Sequence, residues 1–278
     1  MINFIEVFVF MNHFSRSIFC LLSIVGFSLG VTAQAESNSA DSKEKADAII
    51  KKAIQNLGGD RYLQVKTLVG RGKFSIIREG AVISFQSFVD VIVLPDKERA
   101  DFKGGGSRTV QANAGSTGWL YDDSLDAIKI QNEAQVANFK LGIRTSLDNL
   151  LRGSWKNEAD LTYIGMRLAT LGKRNDVVKL TYKDGFVVEF EFATDDGLPQ
   201  KAIYKRTTTG GEEIKEEDRY AQFVDIGGVK TPFIVDGYSD GKPSSRINYE
   251  SVEFNKPVPD SIFAKPSNPK DARKDLKL

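Results

Sequence analysis

Residues 186–192, FVVEFEF, decide the fold class. Phe186, Val188, Phe190 and Phe192 alternate with Val187, Glu189 and Glu191, the period-two signature of a strand with one dry and one wet face. Lys183-Asp184-Gly185 before it is a hairpin turn back to Val177–Tyr182. Downstream, Leu198–Arg206, Ile214–Val224, Val229–Val235 and Ser244–Phe254 follow the same pattern. Gly210-Gly211, Gly227-Gly228 and Asp240-Gly241 join them.

Upstream the reading is similar. Lys66–Ile77 and Ala81–Leu94 form a hairpin around Arg78-Glu79-Gly80, with Ile83, Phe85, Ser87, Val89, Val91 and Val93 on one face of the second strand. Pro95-Asp96-Lys97 turns into Arg99–Lys103. Gly104-Gly105-Gly106 leads to Arg108–Asn113, and a further turn to Gly118–Asp122. Leu161–Ala169 precedes the decisive hairpin.

Two segments are helical. Over Ser42–Leu57, Ala46, Ile49, Ile50, Ala53, Ile54 and Leu57 make one apolar stripe, ended by Gly58-Gly59. Between Glu133 and Arg152, Val136, Phe139, Leu141, Ile143, Leu147, Leu150 and Leu151 recur at helical spacing, and Gly142 and Thr145 predict a break. The prediction is a mainly β chain of about 11 strands. Either two sheets stack or one antiparallel sheet curls around the helices, and sequential hairpins with helices at two positions favour the single curved sheet.

The N-terminus predicts export. Arg16 precedes an apolar run, residues 18–31, of about 14 residues, short for a membrane span and right for a signal peptide. Ala33 and Ala35 supply a small-x-small cleavage pattern. Residues 1–35 thus read as a signal peptide, with Met11 the expected true start. Phe19 before Cys20 argues against lipid attachment there. No later apolar stretch is long enough for stable membrane insertion.

Cleavage removes Cys20 and His13, the only cysteine and histidine. The expected mature chain then lacks a Ser-His-Asp triad, a cysteine nucleophile, a His-ligated metal and a disulfide. Lys plus Arg is 38 against 37 for Asp plus Glu; losing Arg16 and Glu6 leaves 37 against 36. That balance gives no footing for nucleic acid. The reading is a periplasmic, non-enzymatic monomer with no catalytic residue, metal or cofactor.

LPDKERADF (94–102), GSTGWLYDD (115–123) and INYESVEFNKPVPDSIFAKP (247–266), in this order around the two helical segments, resemble the LolA/LolB-type periplasmic lipoprotein carriers. The matching positions are Pro95 and Arg99; Gly115, Trp119, Tyr121 and Asp122; Phe254-Asn255; Phe263 and Pro266. The resemblance implies an unclosed β-barrel over residues 36–264 whose apolar concavity shelters acyl chains under a helical lid. It departs at Leu94, where such carriers often carry a base, and in the acidic stretch Glu212 to Asp218. Residues 265–278 read as a basic flexible tail.

Sheltering about 15 methylenes is worth on the order of 12 kcal/mol, so a carrier needs a large apolar wall. Candidates for it are Phe85, Val89, Val91, Trp119, Phe186, Val188, Phe190 and Phe192, with Leu141, Ile143, Leu147 and Leu150 from the lid. A side-chain-filled core is the alternative. The implied partners are an acylated lipoprotein or lipid and a membrane-anchored donor or acceptor. A rival is an envelope lipid- or lipoprotein-sensing or protein-interaction module on the same fold. Glu189 and Glu191, Asp122, Asp123, Asp126 and Asp195-Asp196 read as solvated face and turns, and Glu212–Asp218 as an exposed strand edge.

Overall fold

A computed structural model describes residues 33–169, 172–208, 210–276 and 278. The signal peptide reading falls mainly on residues outside these. Among the described residues two helices come first, α1 (Ala33–Leu57) and α2 (Asp60–Leu63). Helix α1 starts well before Ser42, and the expected cleavage near Ala35 lies in its first turn.

Next come β1 (Thr67–Arg78), β2 (Ala81–Val93), β3 (Lys97–Gly104), β4 (Ser107–Ala114), β5 (Thr117–Asp122) and β6 (Ala127–Ile130). Helices α3 (Glu133–Thr145) and α4 (Leu147–Arg152) intervene. The remaining strands are β7 (Ala159–Leu168), β8 (Arg174–Tyr182), β9 (Val187–Ala193), β10 (Pro199–Thr207), β11 (Glu213–Ile226), β12 (Val229–Ser239) and β13 (Lys242–Phe254). A short α5 (Pro269–Ala272) follows.

All 13 strands form one sheet, in the order β6-β5-β4-β3-β2-β1-β13-β12-β11-β10-β9-β8-β7. Every described pairing is antiparallel, and β6 and β7 are free edges, so the barrel is unclosed. The short β6 was not anticipated. Turn chemistry sets this meander. Glu79-Gly80, Gly105-Gly106, Gly227-Gly228 and Asp240-Gly241 each place two consecutive residues at positive φ, the mirror-image turn whose twist matches paired strands.

One apolar cluster joins the α1 stripe to Phe74, Phe88, Phe102, Leu180, Phe190, Tyr220, Val235 and Tyr249, spanning strands from both arms of the sheet. A flat sheet could not bring these together, so it curls, and this is its inner face. Gly70 on β1 makes room for the Tyr249 ring, which would lie 2.4 Å from an added Cβ.

The outer face of β1–β5 is also dry, because the C-terminal segment crosses it. Val69, Val89, Val91 and Val93 pack with Val258, Ile262, Phe263, Leu276 and Leu278. Val110, Ala112, Trp119 and Tyr121 pack around Ala272. The expected flexible tail is instead fastened. Trp119 Nε1 donates to the Phe263 carbonyl at 2.8 Å and Arg99 Nη1 to that of Ile262 at 3.1 Å. Arg108 Nη2 donates to the Lys274 carbonyl at 2.8 Å and to Asp101 at 2.6 Å.

The acidic stretch is not an exposed edge. Strand β11 is paired on both sides, and Glu216 and Glu217 are buried. Arg206 and Ser239 bind Glu216, while Lys215 and Arg219 hold Glu217. Glu191, read as solvated, is also buried; Asn175 donates to it at 2.9 Å.

Candidate ligand cavity and its lid

The break expected near Thr145 falls at Ser146, which ends α3 and caps α4 through its hydroxyl to the Asn149 N–H. Asn132 and Gln135 close a reciprocal capping box at the start of α3. Two short helices therefore meet at a defined corner over one end of the inner face.

Beneath that corner lies a cavity. Leu147, Asp148, Leu151 and Arg152 of α4 form one wall and Leu57, Tyr62 and Val65 another. The sheet contributes Leu68, Ile92, Phe223, Val229, Tyr249 and Phe254, with Leu94 and Pro232 at its margin. Its volume is about 60 Å³, room for roughly four or five waters. Sites for whole ligands occupy about 300 Å³ or more. As it stands, the space is far too small for a long chain.

Two polar latches hold the lid. Asp148 accepts from the Tyr62 hydroxyl at 2.9 Å and from Arg152 Nε at 2.8 Å. Arg152 also donates to the carbonyls of Tyr62 and Leu63, and its guanidinium stacks 4.7 Å from the Tyr62 ring. At the far end, Arg144 makes two 2.8 Å bonds to Asp184 in the β8–β9 turn and stacks on Tyr182 at 3.8 Å. The bond from Arg144, then the Phe186 N–H, holds the Asp184 carboxyl down at about 2.

Of the twelve candidate wall residues, Leu147 alone lines this cavity. Phe186, Val188, Phe190, Phe192, Leu141 and Leu150 are on the expected inner face, but packed into the core cluster. Ile143 is half-buried on α3. Val89, Val91 and Trp119 lie on the opposite face under the C-terminal segment. Phe85, on that same outer face, is 59% exposed near the β1–β2 tip. Both faces of β2 are dry, so alternation alone could not say which one looks inward. The inward set is Phe88, Asp90 and Ile92.

Asp90 and Glu98 are the unusual members of the inner face. Asp90 is 1% exposed and Glu98 5%. In register, Glu98 faces Ile92 across β2–β3, and Asp90 faces Ala100, so the two carboxyls are diagonal neighbours. Burial pushes Asp90 up to about 7. Burial, then the adjacent Asp90 charge, pushes Glu98 well up. Burial, with Glu216 adding, also raises half-buried Asp218 to about 7. Among the described residues no group of three or more His, Cys, Asp or Glu is placed to hold a metal ion, and no helix is long and apolar enough to cross a membrane.

The single unclosed antiparallel sheet with few helices is a LolA-like fold. A LolA superfamily protein from Nitrosomonas europaea superposes with a TM-score of 0.54 at 14% identity, covering 79% of this chain and 97% of that one. A DUF1329 family protein from Desulfovibrio piger gives 0.56 at 14% identity, with the same coverage. These likenesses establish the fold. No family model matches the sequence, and no curated protein matches it.

Proposed function

We propose that this is an exported, non-enzymatic carrier that receives an acyl chain or similar apolar group between the lid and the inner face of the sheet, in the periplasm. The observation that carries this reading is the shared cavity wall: Leu147 and Leu151 of the lid face Leu68, Ile92 and Phe254 of the sheet across free space. Opening the lid would enlarge that space over the Leu68, Ile92 and Phe254 side chains. Each methylene buried there contributes about 0.8 kcal/mol, so the guest's own burial offsets the opening. The guest would be the acyl group of a lipoprotein or lipid, handed over by a membrane-anchored donor or acceptor.

The test is protein purified without detergent and measured by native mass spectrometry, then titrated with a fluorescent fatty acid. A bound lipid mass, or saturable uptake weakened by Leu147→Asp, supports the carrier. Protein that is ligand-free and takes up no probe overturns it.

A further inference from the structure

Within this carrier reading, we propose that the guest bears a protonated primary amine, seated on the Asp90–Glu98 pair at the inner end of the cavity.

The placement follows from register. Ile92 and Tyr249 form the cavity wall on this side. Glu98 is directly opposite Ile92, and Asp90 is two residues along β2 on the same face, about 7 Å further in at the strand rise. Gly70, paired with Asp90 across β1–β2, is where the Tyr249 ring lies close. The pair thus sits behind the Ile92 and Tyr249 lining without lining the cavity itself, and an entering head group would reach it once those side chains shift with the opening lid.

The chemistry follows from what the pair lacks. Both Asp90 oxygens and Glu98 Oε1 are buried with no well-formed hydrogen bond among the described residues, the two carboxyls and the Val91 N–H lying close without good geometry. None of the described ion pairs includes either carboxyl; Arg152 is engaged by Asp148 and Arg206 by Glu216, and the lining cation Lys230 is exposed. A proton held between the carboxyls serves two of the three oxygens at most. A primary ammonium carries three N–H donors, one for each. Calcium would ask for about six to eight oxygens, and among the described residues no group of three or more acidic side chains is placed to supply them. An anionic headgroup would meet like charge in a low-dielectric site.

The experiment compares dodecylamine, dodecanol and dodecanoate, of equal chain length, on the full-length mature protein by calorimetry at pH 7.5. The amine is expected to bind at least about tenfold more tightly than the other two (about 1.4 kcal/mol). In Asp90→Asn/Glu98→Gln that advantage should fall to about twofold or less, in a variant whose circular dichroism spectrum and cooperative thermal unfolding show that it is folded. Equal affinities for the three, or an advantage kept in the variant, overturn the amine assignment and leave the carrier standing. Binding of none of the three overturns both.

Discussion

Replacing Asp90 by asparagine should stabilise the protein in a way that depends on pH. The Asp90 carboxyl ionises at about 3.8 when solvated and at about 7 in the fold, because burial disfavours its charge. Below pH 3.8 folded and unfolded chains both hold the proton and nothing is lost. Between 3.8 and 7 the unfolded chain releases it first, so stability falls by about 1.36 kcal/mol per pH unit. Across the interval this approaches about 4 kcal/mol, which for a domain of this size corresponds to about 8–16 °C in Tm. The substituted amide cannot ionise, and any penalty for burying it is the same at every pH. Thermal unfolding followed by circular dichroism should show Asp90→Asn gaining on the parent as pH rises, its stability relative to the parent about 3 kcal/mol higher at pH 8 than at pH 4.5. A gap of the same size at both pH values, or a variant less stable than the parent at pH 8, would refute the reasoning.

Arg144→Ala should unlatch α3 from Asp184 and speed fluorescent fatty-acid uptake several-fold in stopped flow, with little change in Tm because the pair is exposed. Asp184 is held down at about 2, so the parent's latch persists above 3.8 and is lost only as pH falls toward 2; uptake differing between parent and variant by the same factor at pH 2 would count against the latch. Trp119→Ala removes a buried ring and its bond to the Phe263 carbonyl and should cost about 3–5 kcal/mol in urea unfolding, with dodecanol affinity unchanged. Phe190→Ala, fully buried away from the cavity, should likewise cost about 3–5 kcal/mol without altering guest selectivity; a selectivity change would place Phe190 in the binding surface after all.

The strands were legible because turn residues and alternation agree locally. Lys183-Asp184-Gly185 and the four mirror-image turns announce their hairpins, and the α1 stripe announces its buried side. The site was less legible, for two reasons. The motif residues Arg99, Trp119 and Phe263 that reveal the fold fasten the C-terminal segment to the outer face; they mark architecture and lie on the side of the sheet away from the cavity. Because that segment dries the outer face, Val89 and Val91 are as apolar as inward residues, and nothing local separates the two sides. Asp90, between Phe88 and Ile92, breaks the inward row with a charge, and that break was the available signal. Glu216 and Glu217 were misread because charge was equated with exposure, whereas neighbouring bases bind each of them.

The strap over the outer face also has a consequence for assembly. Val69 and Val91 near the start of the sheet are covered by Leu276 and Leu278 at its far end in sequence, and β1 must find β13 before the two arms join. Both closures join residues far apart in sequence, the kind of non-local pairing that slows folding and leaves the back of the sheet unsealed until the C-terminal segment arrives.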